Sequence, residues 1–211
     1  MTTIGVVASG RGSNFRALCE AERAGRLGGG HIAILVVNQP GAGALAIAGE
    51  YGVETVVLDH KAFPSREAHD LAVADALTRR GVQLVCHAGY MRIVGKAYLD
   101  RFPHAVLNIH PALLPAFGGR GLYGDRVHRA VLESGVKLSG CTVHFADACY
   151  DHGPIILQAA VPVYDDDTVE SLAARVFAAE CELYPQAIQL YAEDRLRLAG
   201  RRVRILPAAP S

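Results

Sequence analysis

Asn108 and His110 lie two residues apart in Leu107-Asn108-Ile109-His110-Pro111-Ala112-Leu113-Leu114-Pro115, directly after an apolar run. Asp151 follows further along, in Tyr150-Asp151-His152-Gly153-Pro154. An amide, an imidazole and a carboxylate are the groups needed to move an acyl group onto an amine. The amide donates to a developing oxyanion, the imidazole shuttles a proton, and the carboxylate orients the imidazole. Residues two apart on a strand face the same side, so Asn108 and His110 would act together. Pro111 then ends the strand. Each residue also has a plainer reading: a hydrogen-bonded histidine at a strand end, or an aspartate in a turn before Gly153-Pro154.

The elements that must position these groups alternate. Ile4 to Ala8, Ile32 to Val37, Glu54 to Leu58, Gln83 to Ala88 and Ala105 to Ile109 read as strands. Asn14 to Ala24, Ala42 to Tyr51 and a segment from the N-cap Ser65 to Arg80 read as helices. That order implies an α/β, Rossmann-like, mostly parallel sheet with helices on both faces. Such sheets bind ligands beyond the carboxyl ends of their strands, where Asn108 and His110 fall. Gly140 to Ala146 and Ile155 to Tyr164 read as two strands joined by a short polar turn, an antiparallel extension in the C-terminal half. Asp167 with Glu170 resembles a capping box for a helix from about Thr168 to Leu190, with an apolar stripe of Leu172, Val176, Ala179, Leu183 and Ile188 and a Pro185 that would kink it. Residues 206–211 read as a loose tail.

Ser9-Gly10-Arg11-Gly12-Ser13-Asn14 joins the first strand to the first helix. Glycines allow close backbone approach, and a helix N-terminus offers N–H groups to an anion. Phe15 stands where a dinucleotide fingerprint has its third glycine, the second strand ends at Asn38 rather than an acidic residue, and no Lys-Ser/Thr follows Gly12. A phosphate monoester is therefore the better ligand. The alternative is a tight turn with Ser13 as N-cap.

With 211 residues the chain fits one domain, taken as residues 1–195, with 196–211 as a C-terminal strand or tail. Lys and Arg total 21, as do Asp and Glu, and no basic stripe carries interleaved aromatics, which argues against nucleic acid. No apolar run reaches the roughly 18 residues of a membrane span, and the N-terminus lacks the pattern of a signal peptide. Five dispersed cysteines without a Cys-x-x-Cys argue against a zinc site or disulfide framework and favour a reducing cytoplasm.

Ser9–Asn14, Ala88-Gly-Tyr-Met-Arg-Ile-Val94, Leu107–Pro115, Gly140-Cys-Thr-Val-His-Phe145 and Asp151-His-Gly-Pro-Ile-Ile-Leu-Gln158 come in an order and spacing that resemble the phosphoribosylglycinamide formyltransferase family, among the folate-dependent formyltransferases. The resemblance covers roughly residues 3–195. It implies formyl transfer from 10-formyltetrahydrofolate to glycinamide ribonucleotide in purine biosynthesis, with Asn108, His110 and Asp151 catalytic and no metal. It also implies that Gly12, Ser13 and Asn14 hold the substrate's phosphate and that Glu180 holds its ribose. The folate would be met by Arg66, by Met91, Arg92, Ile93 and Val94, by Asn108, and by a loop from Asp147 to Asp151. The partners implied are these small molecules, with a homodimer left open.

Two departures from the family pattern stand out. Residues 116–128 are longer than the usual stretch and rich in glycine, with His128 the best match to its closing histidine. His152 replaces the first of two glycines that usually follow the aspartate. Two other functions remain open: a formyltetrahydrofolate hydrolase or another formyltransferase, which usually carries an extra domain, and a non-catalytic nucleotide-binding module.

Overall fold

The computed structural model describes residues 1–208, which fall into two compact units, one up to Asn108 and one from Ile109 onward. Ala209, Pro210 and Ser211, part of the expected tail, lie outside the described residues.

The first unit holds β1 (Thr3–Ala8), α1 (Ser13–Arg23), β2 (His31–Val37), α2 (Ala44–Tyr51), β3 (Glu54–Val57), α3 (Arg66–Arg79), β4 (Leu84–His87), the short α4 (Lys96–Leu99) and most of β5 (Val106–His110). Its strands are parallel and ordered β3-β2-β1-β4-β5. Consecutive apolar residues in β1, β2 and β4 are buried, as expected where helices cover both sheet faces. The strand order reverses between β1 and β4. This is the switch point where loops part and ligands enter in such folds. The loops that follow β1 and β4 are joined there: Ser9 N–H donates to Gly89 O at 3.2 Å, and Met91 N–H to Ser9 Oγ at 3.0 Å.

The second unit holds α5 (Asp125–Ser134), β6 (Leu138–Phe145), β7 (Ile155–Pro162), α6 (Val169–Ala192), β8 (Leu196–Ala199) and β9 (Arg202–Ile205). β6 and β7 are antiparallel, as are β8 and β9, and Ile155 of β7 is in parallel register with Arg202 of β9. α6 packs on β6 and β7, and α5 on α6.

The mostly parallel sheet with helices and antiparallel C-terminal strands agrees with the sequence reading, whereas local details differ. α4, α5 and a single 3-10 turn at His60–Ala62 were not expected. α5 has an amphipathic pattern, but it is short and follows a glycine-rich stretch that reads as loop. Residues 146–154 form a longer connection than a short turn, and residues 196–205 form a hairpin rather than one strand. Ser65 does cap α3, accepting from Ala68 N–H at 3.1 Å.

Ser13, by contrast, is the first residue of α1, and Gly12 holds the cap position with φ +81°. The capping box of α6 uses Thr168 and Ser171, because the Asp167 carboxylate is taken by Arg175 at 2.7 and 2.8 Å. α6 continues through Pro185, and Glu180 rather than Ala179 joins its buried face. No helix among the described residues is long and apolar enough to cross a membrane.

Gly12 has no room for a side chain: a Cβ would lie 2.7 Å from the Ala44 Cα, on a backbone that L residues rarely adopt. Gly12→Ala is therefore expected to cost about 1–3 kcal/mol in urea unfolding. A second expectation concerns acid. His69, His128 and His144 are buried, and burial pushes each below the ordinary histidine range. A lowered folded value means the unfolded chain takes up protons first as pH falls. Their stability contribution is thus complete above about pH 6.5 and lost below it. Urea midpoints should fall from pH 7 to pH 5, with a shallower fall in His69→Gln.

Candidate active site

β5 ends at His110, which is buried together with its neighbours Leu107 and Ile109. His110 Nε2 lies 2.9 Å from the Phe117 carbonyl oxygen. A carbonyl only accepts, so Nε2 carries the proton, and Nδ1 is the nitrogen turned to Asp151, 3.4 Å from Oδ1. The other carboxylate oxygen, Oδ2, accepts from Gly119 N–H at 2.9 Å. The Asp151 side chain is 13% exposed, so these partners replace most of its water. Asp151 also has φ +51°, a strained region for a residue with a side chain. Asn108, half-buried, stands two residues before His110 on the same strand, and its backbone is in register with His87 of β4.

Residues outside the expected set complete this neighbourhood. His144 Nδ1 donates to the Phe145 carbonyl at 2.9 Å, and its Nε2 is 3.9 Å from Asp151 Oδ1. Burial keeps His144 neutral by lowering its pKa. His128, on α5, is buried and likewise lowered. Thr142 Oγ1 donates to Ala112 O at 2.6 Å and accepts from Leu114 N–H at 3.1 Å. Gln158 Nε2 donates to Leu114 O and to Thr142 Oγ1, at 2.9 and 3.0 Å. The segment that follows His110 is thereby clamped to β6 and β7. Gly118 lets that segment close, since a Cβ there would stand 2.5 Å from Leu114 Cδ2 and 3.1 Å from Asp151 Cβ. The motifs Gly140–Phe145 and Asp151–Gln158 contain His144, Thr142 and Gln158, so the signal for them was present. Nothing in their spacing marked which side chains turn inward.

The remaining candidates divide between the two units. In the first unit, Gly12 is the N-cap of α1 and Ser13 and Asn14 are its first and second residues, so the cap position itself carries no side chain. A helix N-terminus behind a glycine turn suits an anion. Met91 is 54% exposed, Ile93 and Arg92 are half-buried, and Val94 is buried. The loop carrying them is tied at its far end, where Gly95 N–H donates to Asp70 Oδ2 at 2.8 Å. Asp70 is itself almost fully buried, which raises its pKa. Arg66 is the exposed first residue of α3.

In the second unit, Glu180 is buried on α6 rather than solvated, close enough to Cys141 to help raise that thiol, which burial pushes up to about 12. Asp147 turns its carboxylate back into its own loop, accepting from Cys149 N–H at 2.9 Å and lying 2.8 Å from His152 Nδ1. Asp147, Cys149 and His152 are metal-ligand types within 4.8 Å of one another. However, Arg201 Nη1 lies 2.9 Å from His152 Nε2, so a cation already sits against the ring.

A family model described as Formyl transferase matches residues 2–188. The chain is 42% identical over 195 residues to phosphoribosylglycinamide formyltransferase, chloroplastic, of Arabidopsis thaliana, covering 92% of this chain and 66% of that protein. With the Vigna unguiculata protein of the same name it shares 38% over 193 residues, covering 92% of this chain and 62% of the relative. The chain thus spans just under two thirds of these plant relatives. The crystal structure of glycinamide ribonucleotide transformylase 1 from Symbiobacterium toebii has a TM-score of 0.93 at 50% identity, covering 98% of this chain and 95% of that one. The extent of the family match and the likeness to that structure agree with the site chemistry: the chain belongs to the formyl transferase family.

Proposed function

We propose that this chain transfers the formyl group of 10-formyltetrahydrofolate to the amine of glycinamide ribonucleotide, a step of purine biosynthesis. The observation that carries this reading is the orientation of His110, whose Nε2 is engaged by Phe117 O so that Nδ1 faces Asp151. The relatives' names supply the formyl group and its acceptor, and the family resemblance supplies the folate donor. The amine nitrogen attacks the formyl carbon, and the C=O bond opens to an oxyanion. Asn108 donates to that oxygen, and His110 donates alongside it from Nδ1, the edge it shares with Asp151, once that nitrogen has taken the proton the amine gives up. Collapse breaks the bond to the folate nitrogen, which gains a proton as the amine loses one. His110 and Asp151 relay it, directly or through a water.

Binding roles follow the family resemblance. Gly12, Ser13 and Asn14 hold the phosphate, and Glu180 the ribose hydroxyls. Arg66, Met91, Arg92, Ile93, Val94, Asn108 and the loop from Asp147 to Asp151 receive the folate. The chemistry needs no metal, nucleic acid or membrane. The five dispersed cysteines without a Cys-x-x-Cys suit a reducing cytoplasm.

Mixing the protein with 10-formyltetrahydrofolate, with and without glycinamide ribonucleotide, tests the reading. Tetrahydrofolate should form only when the amine is present. Amine-independent formation would mark a hydrolase, and none at all a binding module. Asp151→Asn should keep folate binding and lower turnover by about a hundred- to ten-thousand-fold, and Asn108→Ala by about a hundred- to thousand-fold. Near-wild-type rates would remove them from the mechanism. The glycine-rich stretch yields one more expectation. Its start is tied to the site through Phe117 O and Gly119 N–H, while Gly121 and Gly124 beyond it have left-handed φ. Hydrogen exchange at 120–124 should be faster than at 117–119 and should slow when both substrates are bound.

A further inference from the structure

Asp151 sits in the β6–β7 connection with φ +51°, a conformation that persists only where its surroundings over-determine it. The base of the connection is closed by Phe145 N–H donating to Pro154 O at 2.9 Å. Gly153 is pressed against the same strand end, since a Cβ there would stand 1.7 Å from Phe145 O. Across the loop, Asp147 Oδ2 meets His152 Nδ1 at 2.8 Å.

One further contact comes from outside the loop. Arg201, in the turn between β8 and β9, donates from Nη2 to the His152 carbonyl at 2.8 Å. Its Nη1 lies 2.9 Å from His152 Nε2 and 3.3 Å from Nδ1. Those near-equal distances put the guanidinium nitrogen across the ring rather than along the lone pair of either nitrogen. Arg201 therefore grips both the backbone and the ring of the residue next to Asp151. The neighbouring Arg202 is in register with Ile155 of β7, which seats the hairpin beside the end of the same loop.

We propose that Arg201 is a positioning residue for the transfer reaction, acting through His152 to hold Asp151 with its carboxylate on Gly119 N–H and His110 Nδ1. The proposal rests on the role given to Asp151 above. Exposed contacts of this kind add little to global stability. Their effect is geometric, because two points on one residue fix the backbone that carries the strained aspartate. Arg201 lies beyond residue 188, where the family model's match ends.

Steady-state kinetics in two backgrounds tests it. Arg201→Ala should lower kcat roughly five- to tenfold, with KM for both substrates within about twofold, and Arg201→Lys should recover part of the loss. In an Asp151→Asn background the same Arg201→Ala change should alter the residual kcat by less than about twofold, because the residue it acts through is already disabled. An unchanged kcat in the first background, or equal losses in both, overturns the proposal. Hydrogen exchange across 147–152 supplies a readout independent of formyl transfer. It should be faster in Arg201→Ala, and unchanged exchange overturns the brace. Should the wild-type protein fail to transfer formyl groups, the Asp151 role falls while this arm still reports on Arg201.

Discussion

The carboxylate of Asp151 is the group on which the second unit is organised. It is largely withdrawn from water, and a carboxylate in that position must find donors or lose its charge. Gly119 N–H supplies one, and the Nδ1 edge of His110 stands at the other oxygen. Each partner is fixed in turn by something cheap in chain terms. Gly119 is placed by a turn of left-handed residues, and His110 by the Phe117 carbonyl on its far nitrogen. The histidine thus presents one defined nitrogen to the aspartate. The strain at Asp151 is offset by contacts on both its side chain and its neighbours.

Much of the rest of the second unit supports that pairing. Thr142 and Gln158 satisfy the backbone groups of residues 112–114 and so fix how the chain leaves β5. His144, kept neutral by burial, borders the aspartate without adding charge. In the first unit the same economy appears at the switch point. One hydroxyl, Ser9 Oγ, and one carbonyl, Gly89 O, join the loops after β1 and β4. A glycine at 12 lets the first of them pass close to α2.

The parallel sheet was legible because its strands are continuous apolar runs punctuated by glycine and amphipathic helices. Those signals are local. Asn108 and His110 were legible for the same reason, since a strand end and a proline mark their place. What was not legible depends on contacts distant in sequence. Ser13 could be read as a cap, but the backbone there turns on Gly12 because Ala44 leaves no space. Asp167 could be read as a cap until Arg175 is seen to occupy it. Glu180 was named through the family resemblance alone, because its burial is set by packing of α6 and not by its own sequence neighbours. His152 read as a disturbance beside Asp151. Its partners, Asp147 and Arg201, show how the loop accommodates a side chain there.

The central claim is that His110 carries its fixed proton on Nε2, leaving Nδ1 to Asp151. Nitrogen-15 NMR of the imidazole, recorded on protein labelled at histidine, reads the tautomer directly. The geometry predicts a proton on Nε2 in the folded protein, and the same Nε2 signal in Asp151→Asn. A neutral ring with its only proton on Nδ1 would contradict the account, because the Phe117 carbonyl would then have no donor to accept.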